Sequence, residues 1–176
     1  TPYEIRSMLP LVNLGQKQRA KALLDNVLSF MRPRAWNHLP EVVHSDPRLG
    51  RYIGDMPHTW VGSGYINSVR GMLIEEEGDV LHLLPGVPAE WVESGTGIFV
   101  ENAPTHFGML NLRARVEANV LTVDIGGTAN APGAIRLHWP REGKPSRVTV
   151  DGKDWTDYTE DGCPLPCETK QVVAAW

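Results

Sequence analysis

The chain has 176 residues, 41% of them hydrophobic and 22% charged, with a formal net charge of −4. That apolar content excludes a disordered polar chain, and the mild acidity argues against nucleic-acid binding, which calls for a basic face. No apolar run approaches the ~18–20 residues needed to cross a bilayer, so neither nucleic acid nor membrane is expected among the partners.

The chain opens on Thr1-Pro2-Tyr3-Glu4, with no initiator Met, no basic stretch and no apolar stretch of a leader, so no signal peptide is visible. It begins in mid-pattern and is expected to be a piece of something longer. Tyr3–Leu11 reads as the end of an earlier helix broken at Pro10. Between Gly15 and Met31 the apolar residues Ala20, Leu23, Leu24, Val27, Leu28 and Met31 form the stripe of an amphipathic helix. Pro33 stops it, since proline cannot donate the next backbone hydrogen bond. A further helix is expected from about His58-Thr59 to Ile74, with Thr59 as its N-cap and Tyr65, Ile66, Val69 and Leu73 on one face. The loop from Pro33 to Pro57 is long for a compact domain and carries Trp36, Leu39, Val42, Val43, Tyr52 and Ile53. A loop so long and so apolar points to function rather than to a linker. Glu75-Glu76-Glu77 with Asp79 reads as a solvated helix end.

Near residue 80 the apolar period changes from 3.6 to 2. Leu110, Leu112, Ala114 and Val116 alternate with Asn111, Arg113, Arg115 and Glu117, as in a strand with one buried face. A turn at Glu117-Ala118-Asn119 leads to Leu121, Val123 and Ile125, and Ile135, Leu137 and Trp139 repeat the pattern. Val148 and Val150 end in Asp151-Gly152, a dipeptide favoured in tight hairpins. Leu81–Leu84, Ile98–Val100 and Val172–Ala175 are shorter strand candidates. About seven short strands separated by turn signals imply an antiparallel β-sandwich. The expected fold is thus α+β, with a helical region over 1–79 and a sandwich over 80–176. Cys163 and Cys167, in the string CPLPC, could close a small disulfide loop or stay reduced. Two sulfurs with no nearby His cannot complete a four-ligand zinc site, and the cellular compartment stays open.

Chemistry concentrates in the loop and at the start of the helix after it: Trp36, Asn37, His38, Glu41, His44, Asp46, Asp55, His58 and Trp60. A carboxyl group beside an aromatic platform suits acid–base hydrolysis of a sugar. The same residues also suit a blander description, with loop carboxylates capping turns and half-buried histidines packing. The acidic stretch Asp151, Asp154, Asp157, Glu160 and Asp161 lacks calcium-loop spacing. Thr59 and Ser63 beside His58 lack the elbow of an esterase nucleophile. The histidines form no metal-binding signature, and Gly126-Gly127 does not form a phosphate loop. No metal or cofactor is expected.

The string GDMPHTWVGSGYINSVRGMLIEE (Gly54–Glu76) resembles the final barrel helix of the α-L-rhamnosidase-like glycoside hydrolases. LLPGVPAEW (Leu83–Trp91) and APTHFGMLNLRARVE (Ala103–Glu117) resemble the opening strands of the sandwich that follows in those enzymes, and VTVDGKDW (Val148–Trp155) its late hairpin. The resemblance implies the terminal helices of an (α/α)6 barrel followed by an antiparallel β-sandwich. It also implies a carbohydrate substrate. In that family a Trp-Glu motif before the last helix supplies the general base of an inverting reaction. Here the comparable segment is AWNHLPEVV, so Glu41 is the candidate base although it does not directly follow Trp36. Trp36, His58 and Trp60 are the matching candidates for substrate binding. The family's general acid lies in an earlier part of the barrel without a counterpart here, so the chain alone is expected to be inactive.

If this description holds, Glu41 and His58 open on one cavity with Trp36 or Trp60 on its wall. Otherwise Glu41 forms an ion pair on an outer surface, for instance with Arg34 or Arg48, and His58 merely caps its helix. Two or three barrel helices alone leave an apolar face larger than monomers tolerate. Either they fold onto the sandwich, or the missing barrel segment or a second copy of the chain covers them. The alternatives to a hydrolase portion are a non-catalytic carbohydrate-binding or interaction module, in which the sandwich and its Trp residues act, and an orphan structural fragment.

Overall fold

Proline is tolerated in the first turn of a helix, where its missing N–H is not needed, and the start of the chain makes use of this. In the computed structural model, which describes residues 2–46, 48–51 and 54–176, a 3-10 helix over Pro2–Ser7 runs straight into α1 (Met8–Asn13), with Pro10 at its third position. Pro10 therefore does not break the helix, contrary to expectation. Helix α2 spans Lys17–Ser29 and buries Ala20, Leu24 and Val27 from the expected stripe. It ends before Pro33, with the Phe30 N–H donating to the Val27 carbonyl at 3.1 Å. Helix α3 spans Thr59–Leu73. Its buried face is Val61, Ser68, Gly71 and Met72 rather than the expected row, and Ile66 is 64% exposed. The buried hydroxyl of Ser68 donates to the carbonyl of Ile5 at 3.2 Å, tying α3 to the N-terminal segment. Tyr52 and Ile53, counted from the sequence among the apolar residues of the loop, lie outside the described residues.

The chain divides into two compact units, Thr1–Leu73 and Ile74–Trp176. The second unit is built on two sheets. The four-stranded sheet is ordered β1 (Ile74–Glu77), β2 (Val80–Leu83), β6 (Ala134–His138), β9 (Gly162–Leu165). The six-stranded sheet is ordered β3 (Ile98–Thr105), β4 (Gly108–Glu117), β5 (Val120–Gly127), β10 (Gln171–Ala175), β7 (Arg147–Val150), β8 (Lys153–Trp155). A short helix, α4, covers Ala89–Glu93. The glutamate run is thus part of a strand and not a helix end: Ile74 is buried and pairs with Leu83, and Glu77 with Val80. The sheets are antiparallel except between β2 and β6, which run parallel. That pair departs from the all-antiparallel expectation, because the chain returns to β2 only after the β3–β5 meander in the other sheet.

Period-2 burial gives each sheet one apolar face. In the smaller sheet the register aligns Leu81 with Ile135 and Ile135 with Leu165, then Leu83 with Leu137 and Leu137 with Cys163. In the larger sheet Leu112 faces Ile125 and Ala114 faces Val123, and Val172 sits between Val123 and Val150. These cross-strand rows are almost fully buried, at roughly 1.5–3 kcal/mol of transfer free energy for each large side chain. The pattern is consistent with a β-sandwich. Both turns read from the sequence are present, the first narrowed to two residues because Glu117 ends β4, with positive φ at Ala118 (47°) and Asn119 (70°), and at Asp151 (49°) and Gly152 (78°). Such turns match the twist of the strands they join. Both cysteines are free. Burial pushes the Cys163 thiol up to about 12, which keeps it protonated and unreactive, while the Cys167 thiol donates to the Ala131 carbonyl at 3.0 Å.

Two features of this unit generate predictions. Gly127 has φ +100°, and a Cβ there would run into the Met109 carbonyl oxygen on the paired strand. Gly127→Ala combines left-handed strain with a backbone clash, so it is expected to cost about 2 kcal/mol or more. A urea midpoint equal to that of the parent chain would contradict the assigned backbone.

The second feature is the pair His82 and His138, whose ring nitrogens Nδ1 and Nε2 lie 2.8 Å apart. One ring must donate and the other accept. Burial holds His82 below the usual histidine range, with Arg136 adding to the effect and Glu77 opposing it. The unfolded chain therefore takes up this proton first as pH falls. Stability present above pH ~6.5 is lost as pH drops through the lower folded value. The melting temperature is expected to fall between pH 7 and pH 5, and less steeply in His82→Gln. An unchanged slope in that variant would show that His82 plays no part.

Candidate functional site

The long loop doubles back on itself and makes hydrogen bonds with its own backbone. The Glu41 N–H donates to the Asp55 carbonyl (3.0 Å), Gly54 N–H to Val42 (3.0 Å), and His58 N–H to Leu39 (2.9 Å). Leu39 and Val43, 4% and 8% exposed, anchor it by burial. Arg32 braces the outer arc by donating from Nη2 to the His44 carbonyl at 3.0 Å.

This fold-back brings Glu41, Asp55 and His58 together: one donor atom from each lies within 4.8 Å of the other two. Gly54 is required at this point, because a Cβ there would sit 2.6 Å from Glu41 Oε2 and 2.8 Å from Glu41 Cβ. The other carboxylate oxygen, Oε1, accepts a hydrogen bond from the Tyr3 hydroxyl at 2.9 Å. That bond, together with burial and the charge of Glu41, raises the Tyr3 phenol above its ordinary range. His58 meets Trp60 edge-on, with ring centroids 5.5 Å apart. Its Nε2 is buried and has no hydrogen-bond partner among the described residues.

His58 also lines a cavity of about 680 Å3 with Arg34, Asn37, Leu28, Tyr65 and Ile66. Glu41, Trp36 and Trp60 are not on that wall, so the expected shared cavity is met by His58 alone. Equally, Glu41 is not the outer-surface ion pair of the blander description: its partner is Tyr3, not Arg34 or Arg48. Trp60 is covered by the Tyr3 ring (4.6 Å) and by the Arg6 guanidinium (4.3 Å from its centroid). Trp36 is 68% exposed and meets His38 edge-on at 5.5 Å. His44 and Asp46 stabilise a local turn, in which His44 Nδ1 accepts from the Asp46 N–H and the Asp46 carboxylate accepts from the Arg48 N–H.

The site therefore joins Glu41, His58 and Trp60, named from sequence, with Tyr3, which was not. No signal in the sequence links Tyr3 to a loop residue 38 positions on. Asp55 was visible only as one polar residue among many. Chemically, the group offers two carboxylates and an imidazole, one carboxylate oxygen being held by a phenol.

Among the second unit's surfaces, a groove of about 350 Å3 is lined by Phe99, Asn102, Asn111, Arg113 and Asp124. Phe99 is 62% exposed, with the Arg113 guanidinium 5.8 Å from its ring centre. None of the described helices is long and apolar enough to cross a membrane.

No protein-family model and no curated protein matches the chain. Among solved structures, a GH127 β-L-arabinofuranosidase from Geobacillus stearothermophilus T6 aligns with 65% of this chain at 8% identity and a TM-score of 0.38. The aligned part spans 18% of that enzyme's chain, and at that score and identity the likeness assigns no activity.

Proposed function

We propose that the chain is the C-terminal portion of a glycoside hydrolase. Residues 1–73 would contribute terminal helices of an (α/α)6 barrel and part of the sugar site, and 74–176 an accessory sandwich. The observation that carries this reading is the gathering of Glu41, Asp55 and His58 next to a cavity whose wall includes His58. The motif Gly54–Glu76, similar to rhamnosidase-like final helices, supplies the finer assignment. In it Glu41 is the candidate base, held in orientation by Tyr3, and His58 contacts the sugar. Trp36, with its ring exposed, is the better stacking platform, because Trp60 is covered by Tyr3 and Arg6.

An inverting hydrolase needs two carboxyl groups about 6.5–9.5 Å apart to admit a water. Glu41 and Asp55 approach more closely than that, with donor oxygens no more than 4.8 Å apart, so they do not form such a pair. The acid must come from elsewhere in the barrel. The isolated chain is accordingly expected to turn over no aryl glycoside, α-L-rhamnosides included. Robust hydrolysis by the pure chain, abolished in Glu41→Gln, would overturn this division of roles.

A second reading is a non-catalytic carbohydrate-binding module. It is favoured by the exposed Phe99 set among Asn102, Asn111, Arg113 and Asp124, an aromatic face ringed by polar groups. Sugar titrations followed by amide NMR separate the two. The hydrolase reading expects shifts at His58, Thr59 and Tyr65, with His58→Ala weakening binding about tenfold, or ~1.4 kcal/mol. Shifts confined to Phe99, Asn111 and Arg113 would favour the module instead.

A further inference from the structure

We propose that Glu41, Asp55 and His58 form a binding site for a divalent first-row transition ion, of the class that Zn2+ and Mn2+ represent. The proposal goes beyond the hydrolase reading and does not depend on it.

Three observations converge on this site. First, one donor atom from each residue already lies within 4.8 Å of the others. An ion at the usual ~2.0–2.2 Å from each donor needs them to draw in by only about 1 Å or less. Second, the donors are preorganised. Tyr3 holds Oε1 of Glu41 by a hydrogen bond, and the bare backbone of Gly54 leaves room for Oε2 beside Asp55. A hydrogen bond to the far oxygen of a ligating carboxylate is a common way of orienting it. Third, the imidazole brings a buried Nε2 that no described residue satisfies. A buried polar atom without a partner costs roughly 1–3 kcal/mol, and either ring nitrogen can serve as a metal ligand.

The donor set determines the class of ion. Imidazole nitrogen with two carboxylates suits zinc, manganese and their neighbours. Magnesium and calcium prefer oxygen alone and more ligands. Three protein donors leave coordination positions open to water or to an oxygen-rich ligand. A ligated carboxylate is a weaker base, so the ion and any general-base role compete for Glu41.

The test is a titration of the whole chain with Mn2+, followed by paramagnetic broadening of amide resonances, and with Zn2+ by calorimetry. The expected result is a single saturable site that broadens Glu41, Gly54, Asp55 and His58 first. Asp55→Asn and His58→Gln should each weaken it at least tenfold, and Gly54→Ala should do so by displacing Glu41. Mg2+ should compete poorly. Asp55 is exposed, so Asp55→Asn keeps the test valid even if another variant fails to fold. Broadening centred on His82 and His138, affinity unchanged in Asp55→Asn, or no binding below about 1 mM would overturn the proposal. Sugar binding is read separately. Its loss with the ion site intact counts against the hydrolase reading alone, and loss of ion binding with sugar shifts intact counts only against the metal site.

Discussion

Three backbone hydrogen bonds, joining residues 39, 41 and 42 to residues 58, 55 and 54, hold the first unit's polar centre together. They pair two stretches of a long loop that would otherwise leave these peptide groups unpaired. Once the stretches are paired, Glu41 and Asp55 are neighbours across them and His58 follows at the start of α3. The nearness of Glu41, Asp55 and His58 comes from this pairing, and Tyr3 then fixes one oxygen of Glu41. The pairing also explains the glycine at 54, since Glu41 lies on the opposite stretch where a methyl group would stand.

The second unit is organised by register instead. Its apolar rows run across strands that are distant in sequence: Val172 lies between Val123 and Val150, and Leu137 between Leu83 and Cys163. Because strand side chains alternate, a slip of one residue would turn these rows outward. The two positive-φ turns pin the β4–β5 and β7–β8 hairpins and so hold the register at its ends.

What the sequence made legible follows from how much of each element's signal is local. The alternation in β4, β5, β6, β7 and β10 was readable, as was the stripe of α2, because each buries a regular subset of its own residues. Strand β1 was not, since three of its four residues are glutamates and only Ile74 is buried. Strand β9 hid behind Gly162 and Pro164 at the edge of its sheet, where proline is tolerated. The parallel pairing of β2 with β6 could not be read at all, because no local pattern encodes which distant strand lies alongside. The site divides in the same way: Glu41 and His58 stood in a dense polar segment, whereas Tyr3 joins it only through the folded chain.

The bond from Ser68 to the Ile5 carbonyl has a consequence for the order in which the molecule is made. Its two ends are 63 positions apart, and Tyr3 and Glu41 are separated by 38. On a growing polypeptide the first segment emerges long before its partners, and both closures must wait for later residues. Closing such loops costs entropy that rises slowly with their length, whereas the hairpin closing at Ala118-Asn119 needs no such wait. The polar centre of the first unit is therefore complete only after α3 has been synthesised, although Tyr3, which orients it, is made well before its partner in the loop.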